Sequence, residues 1–331
     1  MKQAFSKWLE NQIAVNPRVH LLTGDLGYKT FENIQQKFPQ NFINMGVSEQ
    51  NMVGVAAGLA IKGYLPFCYS IAPFLLLRAY EQIRNDLGFN ELSVGLIGNG
   101  GGLAYGLQGS SHHCLEDLAL MSLVPNMKTF FPAQSKDVPG ALDFFAEQIQ
   151  TASGPAYFRL SHDLKVDHSI QEAFQPTRQF FSGQRRVVVA LGSMGARIFD
   201  LVKSFPELEP HLSLFVVSQM PLKLTRSQSE YLQQAEEILV VEEHQSRGGL
   251  ASQLTQLLLH TQGRLSPSMR SLSVDQYQDH QINNYFGLLD QVGLSKESIK
   301  HFLEKDINKK FTRELNSSSA ESVSSREVRD L

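Results

Sequence analysis

Two stretches of the chain carry side chains that could take part in acid–base chemistry. In the first, FINMGVSEQNMVGVAAGLA (residues 42–60), a single acid, Glu49, opens a segment that is otherwise mostly small and apolar. A carboxylate at the start of a buried helix is costly to desolvate, so such acids often have a function. The helix dipole also favours an acid in the first turn of an ordinary surface helix. The spacing alone leaves both interpretations open.

The second stretch is GNGGGLAYGLQGSSHHCLEDLALM (residues 98–121), in which a glycine-rich loop precedes an amphipathic helix. Glycines let the backbone approach a ligand closely. A histidine such as His112 or His113 can move a proton near neutral pH or donate to a developing negative charge. No cysteine or acid cluster at zinc-ligand spacing accompanies the histidines, so we predict no metal site in this chain. The sequence also contains no P-loop, dinucleotide fingerprint or Gly-x-Ser-x-Gly elbow.

Short apolar runs alternate with helix-like segments and would position these side chains. The predicted strands cover residues 19–24, 42–45, 65–71, 92–98, 127–131 and 156–161, and then 186–193, 212–219 and 237–244. Helical patterns lie between them, at 49–62, 73–87, 115–123 and 136–150 in the first half. This alternation predicts an α/β fold of two doubly wound domains with mainly parallel sheets. Ligands bind at the carboxyl ends of such strands, where Asp25 and Arg159 stand.

Composition narrows the class of protein. The 331 residues are 42% hydrophobic and carry a net charge of -3, which indicates a globular protein with no nucleic-acid or membrane footprint. The two cysteines form no disulfide framework, which favours a reducing compartment, and we expect a cytoplasmic location. The first residues lack the apolar core of a signal peptide, and no apolar run is long enough to span a membrane.

Polar and low-complexity stretches suggest the domain boundaries. We predict a first domain at residues 1–165, a linker at 166–185 and a second domain at 186–307. Residues 308–331, rich in Lys, Ser, Glu and Arg, are predicted to be a flexible tail.

The segment around Glu49 resembles the cofactor-activating segment of thiamine-diphosphate enzymes of the transketolase family. The shared features are a glycine, two residues, Glu-Gln-Asn-Met and a Gly/Ala-rich helix. The resemblance continues through RAYEQI (78–83), SHHCLEDL (111–118) and VVEEHQSRGGLASQL (240–254). It implies a pyrimidine-binding domain followed by a transketolase C-terminal-type domain.

The resemblance also implies roles for individual residues. Glu49 would bond pyrimidine N1′ of thiamine diphosphate and act as its catalytic proton partner. Phe74 would provide the aromatic platform for the pyrimidine, with Ile71 and Tyr69 nearby. Asp25 matches a family Asp-Leu pair beside the thiazolium, although a turn-forming Asp before a glycine is a second interpretation.

On the substrate side, His112 falls where family members place a histidine that contacts carbonyl and hydroxyl groups. His113 is its neighbour, and Arg159 resembles a position near the substrate that can bind phosphate or carboxylate. Family members that use sugar phosphates carry His-Asp-Ser and Ser-Arg at places that read Gly100-Gly101-Gly102 and Ser161-His162 here. Whether the sugar substrate is phosphorylated, nucleotide-linked or neither stays open.

One family feature is missing. The diphosphate and Mg²⁺ site of the family uses Gly-Asp-Gly and a later Asn, whereas this chain has Gly24-Asp25-Leu26. The resemblance therefore implies the C-terminal subunit of a split enzyme that transfers a ketol unit. An N-terminal transketolase-like partner would carry Gly-Asp-Gly and bind most of the Mg²⁺, the cofactor would be shared at the subunit interface, and the assembly would be α2β2.

Three alternatives remain. The chain could be the beta subunit of a 2-oxo-acid dehydrogenase first component, which shares the two-domain layout and the glutamate. It could belong to a synthase similar to deoxyxylulose-phosphate synthase. In a different class, it could be a non-catalytic binding module that kept the fold.

Overall fold

The computed structural model describes residues 1–151, 154–183, 186–262, 267–275 and 283–304, so the predicted tail at 308–331 lies outside the described residues. Two sheets of seven and five strands, each with helices on its faces, make up the architecture in these ranges. No helix among the described residues combines the length and the apolar character needed to cross a membrane.

The described part of the first domain supplies six strands and seven helices in alternation. In chain order they are α1 (Lys2–Val15), β1 (Val19–Thr23), α2 (Glu32–Lys37), β2 (Phe42–Asn44), α3 (Glu49–Ile61), β3 (Leu65–Ile71), α4 (Ala72–Arg78), α5 (Tyr80–Gln82), β4 (Gly95–Asn99), α6 (Asp117–Ser122), β5 (Lys128–Phe130), α7 (Asp137–Thr151) and β6 (Ala156–Leu160). A π-helical turn at Ile83–Gly88 follows α5.

The order of these strands brings the chemistry-bearing segments to one edge of the sheet. Strands β4, β3, β1 and β2 are neighbours and pair in parallel, so their carboxyl ends meet. Strand β3 is buried on both faces except at its first residue, as its unbroken apolar run predicts. Gly24-Asp25, Ala72 and Gly100 each follow a strand at this edge.

The second domain builds a smaller sheet. Its elements are β7 (Thr177–Phe180), β8 (Arg186–Leu191), α8 (Ser193–Ser204), β9 (Ser213–Val217), β10 (Gln219–Met220), α9 (Arg226–Gln233), β11 (Glu237–Val241), α10 (Leu250–Gln262), β12 (Ser268–Leu272) and α11 (Tyr285–Gln291). The order of the strands described in this sheet is β12-β11-β8-β9-β7, and among them only β7 runs antiparallel to its neighbour. The predicted fold class, two mostly parallel α/β domains, is confirmed.

Three strands differ from the sequence prediction. Strand β7 forms at residues 177–180, inside the predicted linker, and pairs with β9. Strand β12 forms at the other edge of the same sheet. Both sequences, TRQF and SMRSL, are largely polar, and a search for apolar runs does not find them.

The third difference joins the two domains. Strand β10 follows β9 in the chain but pairs antiparallel with β5, so Gln219 lies opposite Phe130 and Met220 opposite Thr129. The seven-stranded sheet is thus completed by two residues of the second domain.

Candidate functional site

Glu49 is the first residue of α3, at the carboxyl edge of the first sheet, and its side chain is only 1% exposed. Its Oε1 accepts a hydrogen bond from Ser70 Oγ at 2.9 Å, and its Oε2 accepts one from Arg78 Nη1 at 2.6 Å. The two partners differ, because Ser70 is fully buried on β3 while Arg78 is 42% exposed. The predicted buried acid therefore exists, and one of its two partners can reach solvent.

The loop after β1 borders the same acid. A Cβ added at Gly24 would lie 3.5 Å from Glu49 Oε1 and 3.7 Å from Ser70 Oγ, so the backbone runs close beside the carboxylate. Asp25 is exposed, with a left-handed φ of 58°. Asn44 holds it, because Asn44 Nδ2 donates to Asp25 Oδ1 at 3.0 Å and Asp25 N–H donates to Asn44 Oδ1 at 3.1 Å.

Asp25 and Asn44 border a cavity of about 290 Å³ beside this loop. Asp25 and Asn44 form part of its polar lining, and Phe31 and Phe42 form part of its apolar lining. The arrangement combines a few fixed polar groups with apolar walls, as ligand sites commonly do.

Aromatic rings extend the site on the other side of Glu49. Arg78 Cζ lies over the Phe74 ring, 4.8 Å from its centroid. The His112 ring meets Phe74 edge-on, with centroids 5.0 Å apart, and lies 5.5 Å from the Tyr105 ring. Asn99 Nδ2 donates to the Tyr105 hydroxyl at 2.7 Å. Predicted residues Phe74 and His112 are thus in contact with each other and are linked to Glu49 through Arg78.

Four residues of this group were not predicted to belong to the site. The alternation of β3 left two choices, since either Ser70 or its neighbours Tyr69 and Ile71 turn toward Glu49. Arg78 lies one helical turn after Phe74, which places the two on the same face. Tyr105 and Asn99 had no comparable signal, because the fold of the glycine-rich loop brings them together.

Tyr69 and Ile71, the other residues of β3 predicted to lie near the cofactor, have surroundings different from those of Ser70. With Ser70 directed at Glu49, the neighbouring residue Tyr69 faces the opposite side of the sheet. Its ring packs between Phe5, at a centroid distance of 6.2 Å, and Phe31, at 4.8 Å. Ile71 ends β3 and is 8% exposed. Tyr69 therefore packs in the core, and neither Tyr69 nor Ile71 contacts Glu49 in the structure, so their roles toward the cofactor stay predictions.

The two neighbouring histidines of the loop have different surroundings. His112 is half-buried, with Ser111 Oγ 3.0 Å from its Nδ1. His113 is 5% exposed, and its Nε2 lies 3.0 Å from the carbonyl oxygen of Gly106. The His113 ring lies inside the loop and supports the loop's fold, and its contact with the substrate stays a prediction.

The glycines of the loop approach the protein itself. Leu103 N–H donates to Glu243 Oε1 at 2.6 Å, which draws the loop against the second domain. A Cβ at Gly101 would overlap the Arg159 side chain, and one at Gly102 would overlap both Arg159 and Glu243. At positions 101 and 102, the glycines thus leave room for the buried side chains of Arg159 and Glu243.

Arg159 belongs to that buried pair. Its guanidinium is 3% exposed, with Nη1 3.5 Å from Asp117 Oδ1 and Nη2 donating to the Glu243 carbonyl oxygen at 2.7 Å. The Tyr157 hydroxyl donates to Asp117 Oδ2 at 2.8 Å, and the Tyr285 hydroxyl donates to Glu243 Oε2 at 3.0 Å. Arg159 is thus paired with acidic residues at the domain interface, and its contact with the substrate stays a prediction.

The interdomain cluster comprises Asp117, Tyr157, Arg159, Glu243, His244 and Tyr285, and burial shifts the pKa of several of its members. Desolvation raises the pKa of Glu243, although the Arg159 charge opposes the rise. Desolvation also lowers the pKa of His244, whose Nε2 is 3.8 Å from Asp117 Oδ1. The cluster thus buries one cation together with two acids. Because it links the two domains, we call it a structural joint.

The residues around Glu49 suit an aminopyrimidine, which has a planar face and polar ring edges. Glu49 offers a buried carboxylate whose second partner, Arg78, is partly exposed, and Phe74 offers a ring face that the same arginine covers. In the ranges that the structure describes, no group of three or more His, Cys, Asp and Glu side chains could hold a metal ion.

Comparison with known proteins agrees with this geometry. Residues 1–165 match the family model described as the transketolase pyrimidine-binding domain. A subunit of the apulose-4-phosphate transketolase of Actinobacillus succinogenes is 28% identical over 231 residues, which are 67% of this chain and 71% of that protein.

Two solved structures have the same fold. The first is described as a split gene transketolase, inactive beta4 tetramer; it has a TM-score of 0.74 and 29% identity, covering 91% of this chain and 96% of that one. The second, transketolase from Campylobacter jejuni, has a TM-score of 0.73 at 16% identity, covering 92% of this chain but 46% of that one. The family resemblance predicted from the sequence is confirmed: this chain belongs to the transketolase family, and residues 1–165 are its pyrimidine-binding domain.

Proposed function

We propose that this chain is the C-terminal subunit of a split thiamine-diphosphate-dependent enzyme that transfers a ketol unit between sugar-type substrates. The observation that carries the proposal is Glu49, a buried carboxylate with one exchangeable partner, close to the Phe74 ring, which in turn contacts His112. An acid with a purely structural role would not need a hydrogen-bond partner that can turn away into solvent.

Each residue has a defined task in this proposal. Glu49 holds a proton at pyrimidine N1′, and the face of Phe74 supports the pyrimidine ring. Asp25, fixed by Asn44, lies on the thiazolium side. When bound, thiamine diphosphate supplies the nucleophilic carbon that accepts the ketol unit. His112 donates to an oxygen of the substrate, and its contacts with Phe74 and Tyr105 set the direction of its ring.

The partner subunit completes the site in our proposal. A chain with Gly-Asp-Gly and a later Asn would hold the diphosphate and most of the Mg²⁺ coordination, and the two subunits would form an α2β2 assembly in the cytoplasm. Support comes from relatives that are themselves parts of larger enzymes: one is named as a transketolase subunit, and another is described as an inactive tetramer of beta chains.

For the substrate we propose a sugar or sugar phosphate. The relative in A. succinogenes is named for apulose-4-phosphate. With Arg159 buried and glycines at positions 100–102, an anionic end of the substrate would have to be bound by other groups, including those of the partner. His162 occupies the place of the family's arginine, and its ring stacks on Tyr285 with centroids 4.4 Å apart.

The decisive experiment mixes this chain with a Gly-Asp-Gly-containing partner and titrates thiamine diphosphate with Mg²⁺ by calorimetry. Binding that occurs only in the mixture, and that Glu49→Gln weakens while Glu81→Gln does not, is the expected result. Glu81 is an exposed acid on α5 and serves as the matched control.

Two other results would redirect the assignment. If the isolated chain transferred ketol units by itself, the split arrangement would be wrong. If two folded chains formed a complex that bound no cofactor, the non-catalytic binding module would become the better description.

A further inference from the structure

We propose that Arg78 is a gate for the cofactor, and that its guanidinium occupies the aminopyrimidine position until thiamine diphosphate displaces it. The inference rests on the proposed function, because it takes Glu49 and Phe74 as the two pyrimidine contacts of this chain. It adds a residue whose side chain competes with the cofactor.

The contacts of Arg78 duplicate those expected of the pyrimidine. Its Nη1 donates to Glu49 Oε2 at 2.6 Å, and its Cζ lies over the Phe74 ring at 4.8 Å from the centroid. A guanidinium and an aminopyrimidine are both flat groups with N–H donors in the plane and faces that stack on aromatic rings. Two such groups cannot share one ring face and one carboxylate oxygen, so binding of one excludes the other.

Exposure decides which partner of Glu49 moves. Ser70 is fully buried and fixed on β3, so its bond to Oε1 can persist when the cofactor is bound. Arg78 is 42% exposed and is the last residue of α4, so its long side chain can turn into solvent.

The same arrangement explains what the gate achieves. A buried carboxylate without a partner is costly, so Arg78 keeps Glu49 paired while no cofactor is present. An ion pair with one exposed partner is weak, so its displacement costs the incoming cofactor little. Arg78 therefore keeps Glu49 paired before the cofactor binds, at a small loss of cofactor affinity.

The chain contains a matched control. Arg84, in the π-helical turn after α5, lies over the Phe89 ring at 4.6 Å and donates to Asn85 Oδ1 at 2.9 Å. It has the same arginine-over-phenylalanine geometry as Arg78 but no contact with Glu49.

The test compares Arg78→Met and Arg84→Met in the complex with the partner subunit. Calorimetric titration with thiamine diphosphate and Mg²⁺ should show about fivefold tighter binding for Arg78→Met and unchanged binding for Arg84→Met. Thermal unfolding of the cofactor-free complex gives a second readout. Arg78→Met should lower the midpoint temperature, and the increase on adding the cofactor should be larger than in the wild type.

Each of the other outcomes would contradict the proposed role of Arg78, and the outcomes can be told apart. Weaker cofactor binding by Arg78→Met would mean that Arg78 holds the cofactor, and equal binding by both variants would mean that it does not compete. If the wild-type complex of folded chains bound no cofactor, the proposed function would fail and the gate with it. Should Arg78→Met fail to fold, Arg78→Gln, which is also neutral but polar, is expected to show the same gain in affinity.

Discussion

Two carboxylate–arginine groups in this molecule show how a binding site differs from a structural joint. At the carboxyl edge of the first sheet, Glu49 pairs with Arg78 at 2.6 Å, and the arginine is 42% exposed. In the interdomain cluster, Arg159 lies between Asp117 and Glu243, with each of these three side chains at most 3% exposed. Both groups combine the same chemical types, so residue identity alone does not separate the two roles.

The difference lies in how many partners each acid has and whether they can leave. Asp117 and Glu243 are each held by a buried tyrosine hydroxyl as well as by Arg159. Glu49 has one buried partner, Ser70, and one that can turn away. A ligand can replace a group only where the replaced group has somewhere to go, and water provides that place for Arg78.

The largest expected effect comes from Glu49→Gln. The variant should lower the rate of ketol transfer by about 100- to 10,000-fold, because it removes the proton partner of the cofactor. It should change the free energy of unfolding by about 1 kcal/mol or less, since the amide can still bond Ser70 and the lost ion pair has an exposed partner. Steady-state rates of the reconstituted complex and urea denaturation measure the two effects. Near-normal activity, with Glu81→Gln as control, would make Glu49 a structural acid like Asp117.

The second effect concerns stability. Arg159→Met should lower the free energy of unfolding by about 3–5 kcal/mol, because it leaves buried Asp117 and Glu243 without their counter-charge. Arg226→Met removes a surface pair, Arg226 with Glu230 at 2.8 Å, and should cost about 0.5 kcal/mol or less. Urea denaturation monitored by circular dichroism gives both values. If both variants lowered the free energy of unfolding by similar amounts, the contrast between the interdomain cluster and the site around Glu49 would be lost.

The third effect is a pH dependence of stability at Glu242, next to the interdomain cluster. Its carboxylate accepts the N–H groups of Leu250 and Ala251 at the start of α10, while desolvation raises its pKa to about 7. Between its ordinary pKa near 4.5 and 7, the folded chain holds a proton that the unfolded chain has released. Stability should therefore fall as pH rises through this window, by up to about 1.4 kcal/mol per pH unit.

Comparison of the wild type with Glu242→Gln isolates this contribution. Urea denaturation at several values of pH should show a flatter profile for the variant, whereas Glu230→Gln, which changes an exposed acid, should leave the profile unchanged. If the free energy of unfolding of Glu242→Gln depended on pH as steeply as that of the wild type, Glu242 would have to be ionised in the folded chain throughout this pH window.

The smallest effect should come from Tyr105→Phe. Loss of the hydroxyl removes the bond from Asn99, which should cost about 0.5–1.5 kcal/mol of stability. Because the Tyr105 ring contacts His112, we also expect the KM for the sugar to rise a few-fold while cofactor affinity stays unchanged. Tyr64→Phe, at an exposed ring remote in the chain from the loop, is the control. An unchanged KM would limit the site to the residues around Glu49.

The sequence predicted those parts of the molecule whose causes are local. Buried strands such as β3 and β8 appear as continuous apolar runs, and Glu49 stands out because most of α3 after it is small or apolar. Edge strands β7 and β12 carry no such run. The alternation within β3 was available, but without knowing that Ser70 faces Glu49 it could not show that Tyr69 faces the core.

Long-range contacts were beyond prediction for a physical reason. Arg159 meets Glu243 across 84 residues of chain, so neither the burial of the arginine nor the reason for the glycines at 101 and 102 is encoded near them. A strand-terminal arginine beside a glycine-rich loop fits a phosphate site as well as a domain joint. Only the position of the second domain distinguishes the two.

Strand β10 has a consequence for dividing or recombining this protein. Without Gln219 and Met220, strand β5 would become the outer strand of the first sheet and would present unpaired N–H and C=O groups. Open edges of this kind promote pairing with other chains. A fragment ending at residue 165 should therefore tend to aggregate. A chimera that receives a foreign second domain will need an equivalent two-residue strand to pair with β5.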